Sequence, residues 1–582
     1  MNKIHVLPPE IISKIAAGEV IERPASVLKE LLENSLDAQA DNIEVEIKGA
    51  GKIAISIKDN GTGIAEENME PLCSRHATSK IASIDDLYNI NSLGFRGEAL
   101  YSISAVADVV LSSKTKDQDS GWEIHLRGGQ KLNKKPAAMS TGTKILASEL
   151  FYNTPARKKF LKSNTAEMNH ILDIFIPYTL LYPQASFTLT HNEKTLLDLK
   201  PAQNHIQRIS KALNLAAEHI IEDTREFPRR NMSMHLALGD INIQRARKDL
   251  QFIFVNNRPV QNRTLSFHLN EIYRMLFPPG TAPFFCLYLS LPADQLDVNV
   301  HPAKREVKIK DELEVVALLR PFCESLLMTN SKAKQAQDNI FPMPQATAPV
   351  ERQDTVNPTP GGIKEPAGQK QYNLSLEENI MLFKTGDIFG QKKENLKEKL
   401  KSGRYLGNFH KKYLLFESGD SLLVVDQHAA QERITFERLK SQIENGQVEV
   451  EQLINPILLK LTPAELLLWE ENNKIMEKIG FQTSLWDKET LAVHSHPRLI
   501  ANAEISVRNL ITGENIPKLN PEIIARRACR SSVMAGFSMN PEQAEYQRSQ
   551  LLACQDPFTC PHGRPTVIEI PESSLSKQFL RT

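Results

Sequence analysis

Lys29-Glu30-Leu31-Leu32-Glu33-Asn34-Ser35-Leu36-Asp37-Ala38 is the stretch on which the reading of this chain turns. Pro24 suits a first helical turn, so a helix is expected from there. Val27, Leu28, Leu31, Leu32 and Leu36 give it an apolar face, and Glu30, Asn34 and Asp37 recur beside that face at i, i+4 and i+7. A carboxylate and an amide oxygen in such a row can hold a hard divalent cation such as Mg2+ and polarise a water. The same row also reads as the solvated edge of an ordinary amphipathic helix, so the residues around it decide.

Downstream, 42–47 and 52–58 alternate apolar and polar residues as half-buried strands do. They lead into Asp59-Asn60-Gly61-Thr62-Gly63-Ile64, where alternate glycines permit a sharp turn and close approach to a ligand. An aspartate at a strand end can accept from an exocyclic amine such as that of adenine, although a plain turn has the same pattern. Ser74-Arg75-His76-Ala77-Thr78-Ser79-Lys80 follows, then Leu93-Gly94-Phe95-Arg96-Gly97-Glu98-Ala99-Leu100, whose glycines precede an apolar helical segment over 99–106. Backbone N–H groups at such a helix start suit a polyphosphate, yet the run lacks the Walker A spacing. Ser140-Thr141-Gly142-Thr143-Lys144-Ile145 sets a hydroxyl at the start of another strand.

These elements, in this order, resemble the ATPase module shared by gyrase B, Hsp90, histidine kinases and MutL mismatch-repair proteins. The chain is most similar to the MutL family. The likeness extends over Ile15 to Val20, Arg75 to Lys80, Gly94 to Leu100 and Phe151-Tyr152-Asn153-Thr154-Pro155-Ala156-Arg157. The resemblance implies ATP as cofactor, Glu30 as the general base and Asn34 as the Mg2+ ligand. It implies Asp59 as acceptor for the adenine amine, with Gly61, Gly63 and Thr143 beside it and Asp37 on the same wall. Gly94, Phe95, Arg96 and Gly97 would sit in a lid over the phosphates, with Lys80 at its edge.

The chain has 582 residues, enough for roughly three or four domains. Lys and Arg together number 70, as do Asp and Glu, so no global field advertises nucleic acid and any basic surface is local. Six dispersed cysteines fit a reducing cytosol better than a disulfide framework. No apolar run approaches the length of a membrane span, and a cytoplasmic location is expected.

The strand and helix pattern restarts near Ile206, with strands over 234–238 and 251–255 and a helix over 264–277. Asp297 to Val307 reads as strand, Pro-marked loop and strand. By the resemblance, Lys304 of this loop would reach the ATP γ-phosphate, as a point charge does well; His301 reads as a loop-packing residue. Arg208, Lys211, Arg225, Arg229, Arg230, Arg245, Arg247, Lys248, Arg258 and Arg263 gather here. Such clusters are commonly solvated faces, but the family binds double-stranded DNA with this domain, which implies salt-dependent phosphate contacts. Arg263 matches the family's DNA-contacting arginine.

From Ser331 to Lys392 the periodicity is lost and Pro, Gln, Asn, Gly and Lys prevail, the composition of a linker. Its r.m.s. span would be about 40–45 Å, with 377–383 as a candidate docking segment.

Beyond it, strands over 413–417 and 421–425 deliver Asp426-Gln427-His428-Ala429-Ala430-Gln431-Glu432-Arg433-Ile434-Thr435-Phe436-Glu437. His428 and Glu432, four apart on a helix, can ligate one metal. Ala528-Cys529-Arg530 and Cys560-Pro561-His562-Gly563-Arg564-Pro565 add soft ligands, which makes Zn2+ a candidate. The set fits D-Q-H-A-x2-E-x4-E, A-C-R, C-P-H-G-R-P and F-x-R (Phe579-Leu580-Arg581), the elements of MutL proteins that nick DNA. The resemblance implies a metal-dependent endonuclease with Asp426, His428, Glu432, Cys529, Cys560 and His562 as ligands. Zn2+ would be structural or regulatory there, with Mn2+ or Mg2+ in the catalytic pair. It also implies MutS as partner, a homodimer, a repair helicase and a sliding clamp. The segment for the clamp is Glu451-Gln452-Leu453-Ile454-Asn455-Pro456, with glutamate where the family has glutamine. A helix is expected over 458–479 and a strand over 567–570.

The expected architecture is therefore α+β multidomain. A GHKL (Bergerat) ATPase α/β sandwich spans 1–204, a ribosomal S5-like βαβ domain 205–330, and a disordered linker 331–392. A C-terminal α/β dimerisation and endonuclease domain spans 393–582. The alternatives are a non-nuclease matchmaker ATPase with structural zinc, and a topoisomerase subunit, which the absence of a following topoisomerase or kinase domain disfavours.

Overall fold

A computed structural model describes residues 20–74, 77, 93, 99–245, 247–274, 276–277, 281–297, 307–338, 391–500, 502–512, 521–529 and 539–579. The chain divides into two compact units, Met1–Ser331 with Gln442–Ser532, and Lys332–Ser441 with Val533–Thr582.

In the first unit, α1 (Pro24–Asp37), β1 (Asn42–Lys48) and β2 (Ala54–Asp59) come first, then α2 (Ala99–Val106) and β3 (Asp108–Lys114). β4 (Gly121–Arg127), β5 (Gln130–Ala137), β6 (Gly142–Ser148), α3 (Asn164–Leu181), β7 (Ser186–His191) and β8 (Lys194–Leu199) follow. The strands make one eight-stranded sheet in the order β5-β4-β3-β6-β2-β1-β7-β8. All neighbours pair antiparallel except β1 with β7. Along β1, Ile43, Val45 and Ile47 are buried and Glu44, Glu46 and Lys48 are exposed, so only one face of the sheet is covered. The cover is helical: Leu28, Leu31 and Leu32 of α1 and Met168, Ile171 and Phe175 of α3 share one core with those strand residues. This is the α/β sandwich the sequence led us to expect.

After α4 (His205–Leu213), a second sheet is built from β9 (Ile220–Phe227), β10 (Met232–Gly239), β11 (Gln251–Val255), β12 (Arg258–Val260) and β13 (Phe285–Ser290). α5 (Arg263–Tyr273) lies between β11 and β13, which pair in parallel, giving the expected βαβ unit. Its core joins Leu236, Leu265, Leu287, Leu319 and Phe322. The last two belong to α6 (Glu312–Asp338), which continues into the stretch expected to be linker from Ser331.

In the second unit, α7 (Gln391–Ser402) precedes β14 (Arg404–Phe409), β15 (Tyr413–Ser418) and β16 (Ser421–Asp426), and α8 (Gln427–Glu444) starts directly after Asp426. The segment that follows returns to the first unit with β17 (Val450–Lys460), α9 (Pro463–Lys478), β18 (Thr483–Leu485), β19 (Thr490–Pro497), α10 (Ala503–Ile511) and α11 (Pro521–Cys529). The helix expected over 458–479 thus begins later. Residues 458–460 are strand paired with β19, and a capping box between Thr462 and Glu465 fixes the helix start at Pro463. α12 (Pro541–Leu552), β20 (Val567–Pro571) and α13 (Glu572–Gln578) complete the second unit, whose sheet runs β14-β15-β16-β20. Among the described residues no helix is long and apolar enough to cross a membrane.

Candidate functional sites

The apolar face of α1 is buried as its spacing requires, which leaves Glu30, Asn34 and Asp37 half-buried along the edge. One Asp37 oxygen accepts the backbone N–H of Leu93 at 2.9 Å, which ties Leu93 to this helix. Asp59 ends β2 one strand from Thr143, its direct partner on β6; two motifs 84 residues apart become neighbours through sheet register. Three donors fix the Asp59 carboxylate: Ser35 Oγ on Oδ2 at 2.8 Å, and the N–H groups of Gly61 (3.0 Å) and Thr143 (3.2 Å) on Oδ1. Burial pushes its pKa up against the pull of those donors.

The two glycines of the loop have separate reasons. A Cβ at Gly61 would stand 2.6 Å from the Ala38 carbonyl oxygen, because the loop abuts the end of α1. Gly63 has φ +75°, and a Cβ there would meet the Lys114 carbonyl at 2.1 Å. Ser113, fully buried, gathers this corner: its hydroxyl accepts from Ile64 N at 2.8 Å and lies 2.9 Å from Thr143 Oγ1. Sequence reasoning missed Ser35 and Ser113. The signal for Ser35 was a hydroxyl inside the apolar stripe of α1; Ser113, in an unremarkable alternating strand, had none.

Lys80, Gly94, Phe95, Arg96, Gly97, His301 and Lys304 lie outside the described residues, as do Arg75, His76, Arg530, Leu580, Arg581 and the 377–383 segment. The basic cluster of the middle region divides. Arg263, at the start of α5, is exposed, as are Lys211, Arg229, Arg247 and Lys248. Arg208 is not a phosphate contact: it is 1% exposed and donates to the carbonyls of Pro183 and Ala185. Arg245 is likewise buried, held by Glu465 at 2.7 Å and Asp249 at 3.2 Å. Helix and sheet periodicity cannot separate a buried, paired arginine from a solvated one.

The second candidate site forms where β16 meets α8. Asp426 Oδ1 accepts Ala429 N at 3.0 Å and caps the helix. One turn on, His428 Nε2 lies 3.3 Å from Glu432 Oε1. β20 pairs with β16, and Asp426 N donates to Thr566 O, so the Cys560-Pro561-His562 turn comes down beside the helix. His562 Nε2 is 4.0 Å from Glu432 Oε1, and Cys560 is buried. Arg433, also overlooked, braces this turn by donating to Thr559 O at 2.5 Å. Glu437 proves to be an anchor, accepting the N–H groups of Gln555 (2.7 Å) and Asp556 (3.2 Å).

The Glu432 hydrogen bond holds His428 above the usual imidazole range. Burial pushes Glu432 up, but His428, His562 and Arg564 outweigh it and keep the carboxyl low. Glu432 Oε2 and His428 Nδ1 are buried with no hydrogen-bond partner, which a ligand at this point would relieve. A thiol, two imidazoles and a carboxylate are a fitting donor set for a divalent ion of borderline softness. Among the described residues, no three such groups converge closely enough to enclose an ion as they stand. The Cys529 side chain is outside the described residues.

A buried carboxylate held by three donors, with a helix edge of Glu and Asn and a glycine turn in the same domain, is the arrangement the first site presents, and the class it belongs to is that of an ATPase. Residues 21–146 match the family model described as histidine kinase-, DNA gyrase B- and HSP90-like ATPase. Residues 212–327 match the DNA mismatch repair protein C-terminal domain, and 406–539 the MutL C-terminal dimerisation domain. The chain is 32% identical to the DNA mismatch repair protein MutL of Clostridium tetani, with 100% of each chain covered. It is also 32% identical to that of Endomicrobium trichonymphae over 99% of this chain and 100% of the other. Among solved structures it is similar to the Aquifex aeolicus MutL ATPase domain complexed with ADP, at 31% identity over 47% of this chain and 93% of that one, with a TM-score of 0.37. The chain belongs to the MutL family of DNA mismatch repair proteins and carries its ATPase domain.

Proposed function

We propose that the chain is an ATP-driven switch that couples mismatch recognition by MutS to nicking of double-stranded DNA, acting as a homodimer in the cytoplasm. The observation that carries this is the presence of two prepared sites in one chain: the Asp59 cradle beside Glu30 and Asn34, and the His428–Glu432–His562 cluster with its buried, unpartnered Glu432 oxygen.

At the first site Asp59 accepts the adenine amine, and its three donors hold the carboxylate ready. Glu30 takes a proton from water as the water oxygen bonds to the γ-phosphorus and the bond to the β,γ-bridging oxygen breaks, giving ADP and phosphate. Asn34, half-buried one turn on from Glu30, would hold Mg2+, which supplies charge neutralisation at the phosphates when bound. By the family resemblance, Lys80, Gly94 to Gly97 and Lys304, which lie outside the described residues, would contact the phosphates.

At the second site Asp426, His428, Glu432, Cys560 and His562, with Cys529, would hold Zn2+ or Mn2+. Such ions lower the pKa of bound water and offset charge at a scissile phosphate. The chain's own part is to support the turn that bears His562: Arg433 donates to Thr559 O at its start, and Glu437 anchors Gln555 and Asp556 just before it. Exposed Arg263 contacts DNA phosphate. Segment 451–456 presents Ile454 fully exposed at a register break in β17, which suits docking to a sliding clamp. A non-nuclease matchmaker with structural zinc is the competing reading, favoured by the use of Asp426 and Glu437 as backbone anchors.

The test is nicking of supercoiled plasmid with Mn2+, with and without clamp and ATP, using Asp426→Asn as control. Nicking by the parent protein and none by Asp426→Asn is expected. A parent protein that never nicks under any of these conditions leaves the matchmaker reading.

A further inference from the structure

The buried face of the eight-stranded sheet changes character in its last row. Across β3, β6 and β2, Val109, Ala147 and Ile55 stand side by side, then Leu111, Ile145 and Ile57, and both rows are apolar and buried. The next row on the same face is Ser113, Thr143 and Asp59, three buried polar side chains. Buried polar groups are costly unless hydrogen-bonded, so the donors and acceptors of this row can be counted one by one. Ser113 Oγ has one hydrogen and two lone pairs. The Gly142 carbonyl oxygen, 3.0 Å away, can only accept, and it receives the hydrogen. The Ile64 N–H, at 2.8 Å, can only donate, and it occupies one lone pair. The second lone pair faces Thr143 Oγ1 at 2.9 Å, which makes Thr143 the donor of that bond.

The single hydroxyl hydrogen of Thr143 is thereby committed inside the sheet. Among the described residues Ser113 is the only hydrogen-bond partner of Thr143 Oγ1, so what this hydroxyl offers to a ligand is its lone pairs. Its neighbour Asp59, as a carboxylate, likewise donates nothing. We propose that Ser113 is a positioning residue for nucleotide selectivity: by taking the Thr143 hydrogen it turns that hydroxyl into an acceptor, so that Asp59 and Thr143 together present only acceptors to the 6-position of a purine. The 6-amino group of adenine donates to such a pair. A 6-oxo group only accepts and finds no donor. With Ser113 removed, the Thr143 hydroxyl can rotate and donate to that oxygen. The inference rests on the reading of Asp59 as the acceptor for the adenine amine.

The experiment uses the full-length protein and its Ser113→Ala, Ser113→Cys, Thr143→Val and Asp59→Asn variants, with the Ser113→Ala, Thr143→Val double variant. Affinities for ATP and for inosine triphosphate, which carries oxygen in place of the 6-amino group, are measured by competition against a fluorescent ATP analogue, together with melting temperature. Ser113→Ala is expected to lower the preference for ATP over inosine triphosphate about three- to tenfold, the effect of one hydrogen bond exchanged. Adding Ser113→Ala to Thr143→Val is expected to lower it no further, because the hydroxyl that Ser113 orients is gone. A preference within about twofold of the parent in Ser113→Ala overturns the proposal, and so does a loss of both nucleotides in step with melting, which is what a mere brace would give. A further fall in the double variant also overturns it, since Ser113 would then act by another route. Should Ser113→Ala fail to fold, Ser113→Cys, whose thiol is a weaker acceptor for the Thr143 hydrogen, decides by the same criteria. Asp59→Asn separates the two readings: if it keeps the parent preference, the adenine site itself is misassigned, whatever Ser113 does.

Discussion

Three donors converge on Asp59, and that is what makes the residue informative. Gly61 N and Thr143 N occupy Oδ1 and Ser35 Oγ takes Oδ2, which leaves the carboxylate fixed and still able to accept. An amide at this position keeps the shape but loses an acceptor and, on the proposed function, sets an N–H2 against the donating adenine amine. Asp59→Asn is therefore expected to weaken ATP binding by roughly ten- to a hundredfold, the worth of a hydrogen bond to a charged group of about 1.5–3 kcal/mol. Fluorescence titration with an ATP analogue checks it, and affinity within twofold of the parent would remove Asp59 from the adenine site. The carboxylate was legible in the sequence because it stands at a strand end before alternate glycines. Ser35 and Ser113 were not, since a serine that folds inward differs from a solvated one only through contacts made far along the chain. The same holds for Arg208 and Arg245, whose burial no local pattern announces.

Elements were most legible where period and punctuation agreed. β11 and α2 fall where alternation or helical spacing placed them, whereas 458–460 misled because an exposed Leu458 beside a buried Leu459 suits a helix as well as an edge strand. β10 carries a consequence of its own at this scale. His235 on that strand packs against the His205 and Tyr288 rings, at centroid distances of 4.8 and 5.2 Å, with Thr224 Oγ1 2.8 Å from its Nδ1. Glu222 lies 3.5 Å from Nε2. Burial, reinforced by His205 and opposed by Asp223, pushes His235 down to about 4. An unfolded histidine titrates near 6.5, so between about 6.5 and 4 the unfolded chain binds a proton that the folded chain refuses. Stability is thus full above about 6.5 and falls with pH below it, by up to about 1.4 kcal/mol per pH unit. Glu222, whose carboxyl burial pushes up, acts in the opposite sense, and His205, also lowered by burial, in the same one. Urea unfolding from pH 7 to 4.5 should show a shallower pH dependence for His235→Phe than for the parent. Identical slopes would mean that His235 takes up its proton as readily in the folded sheet as in the unfolded chain.

At the scale of the whole molecule, sequence order and spatial grouping part company. The stretch 442–532 is separated from residue 331 by more than a hundred positions and still belongs to the same compact unit, a grouping that composition and a linker-like segment did not foretell. Its anchor is a nearly inaccessible carboxylate. Glu465 is 2% exposed, with Arg245 at 2.7 Å and Arg508 at 3.2 Å, and its second oxygen accepts Thr462 N at 2.8 Å. Burial pushes its pKa up, but the two guanidinium groups prevail and hold it below the ordinary carboxylate range. Its contribution is therefore present above the unfolded pKa near 4.5 and lost as pH falls through the lower folded value. Removing one member of a buried charged set costs about 3–5 kcal/mol, because the partners stay buried without their counter-charge. Around Glu465, Asn214 Nδ2 donates to Leu461 O at 3.0 Å and Arg247 to Thr512 O at 2.5 Å, contacts that water can replace more cheaply. Glu465→Gln should thus release 442–532 first. Hydrogen exchange is expected to rise across α9 and α10 while the eight-stranded sheet stays protected and ATP affinity is kept. Unchanged protection of α9 in that variant would show that the apolar contacts of Leu467 with the first core, not the ion pairs, hold the segment in place.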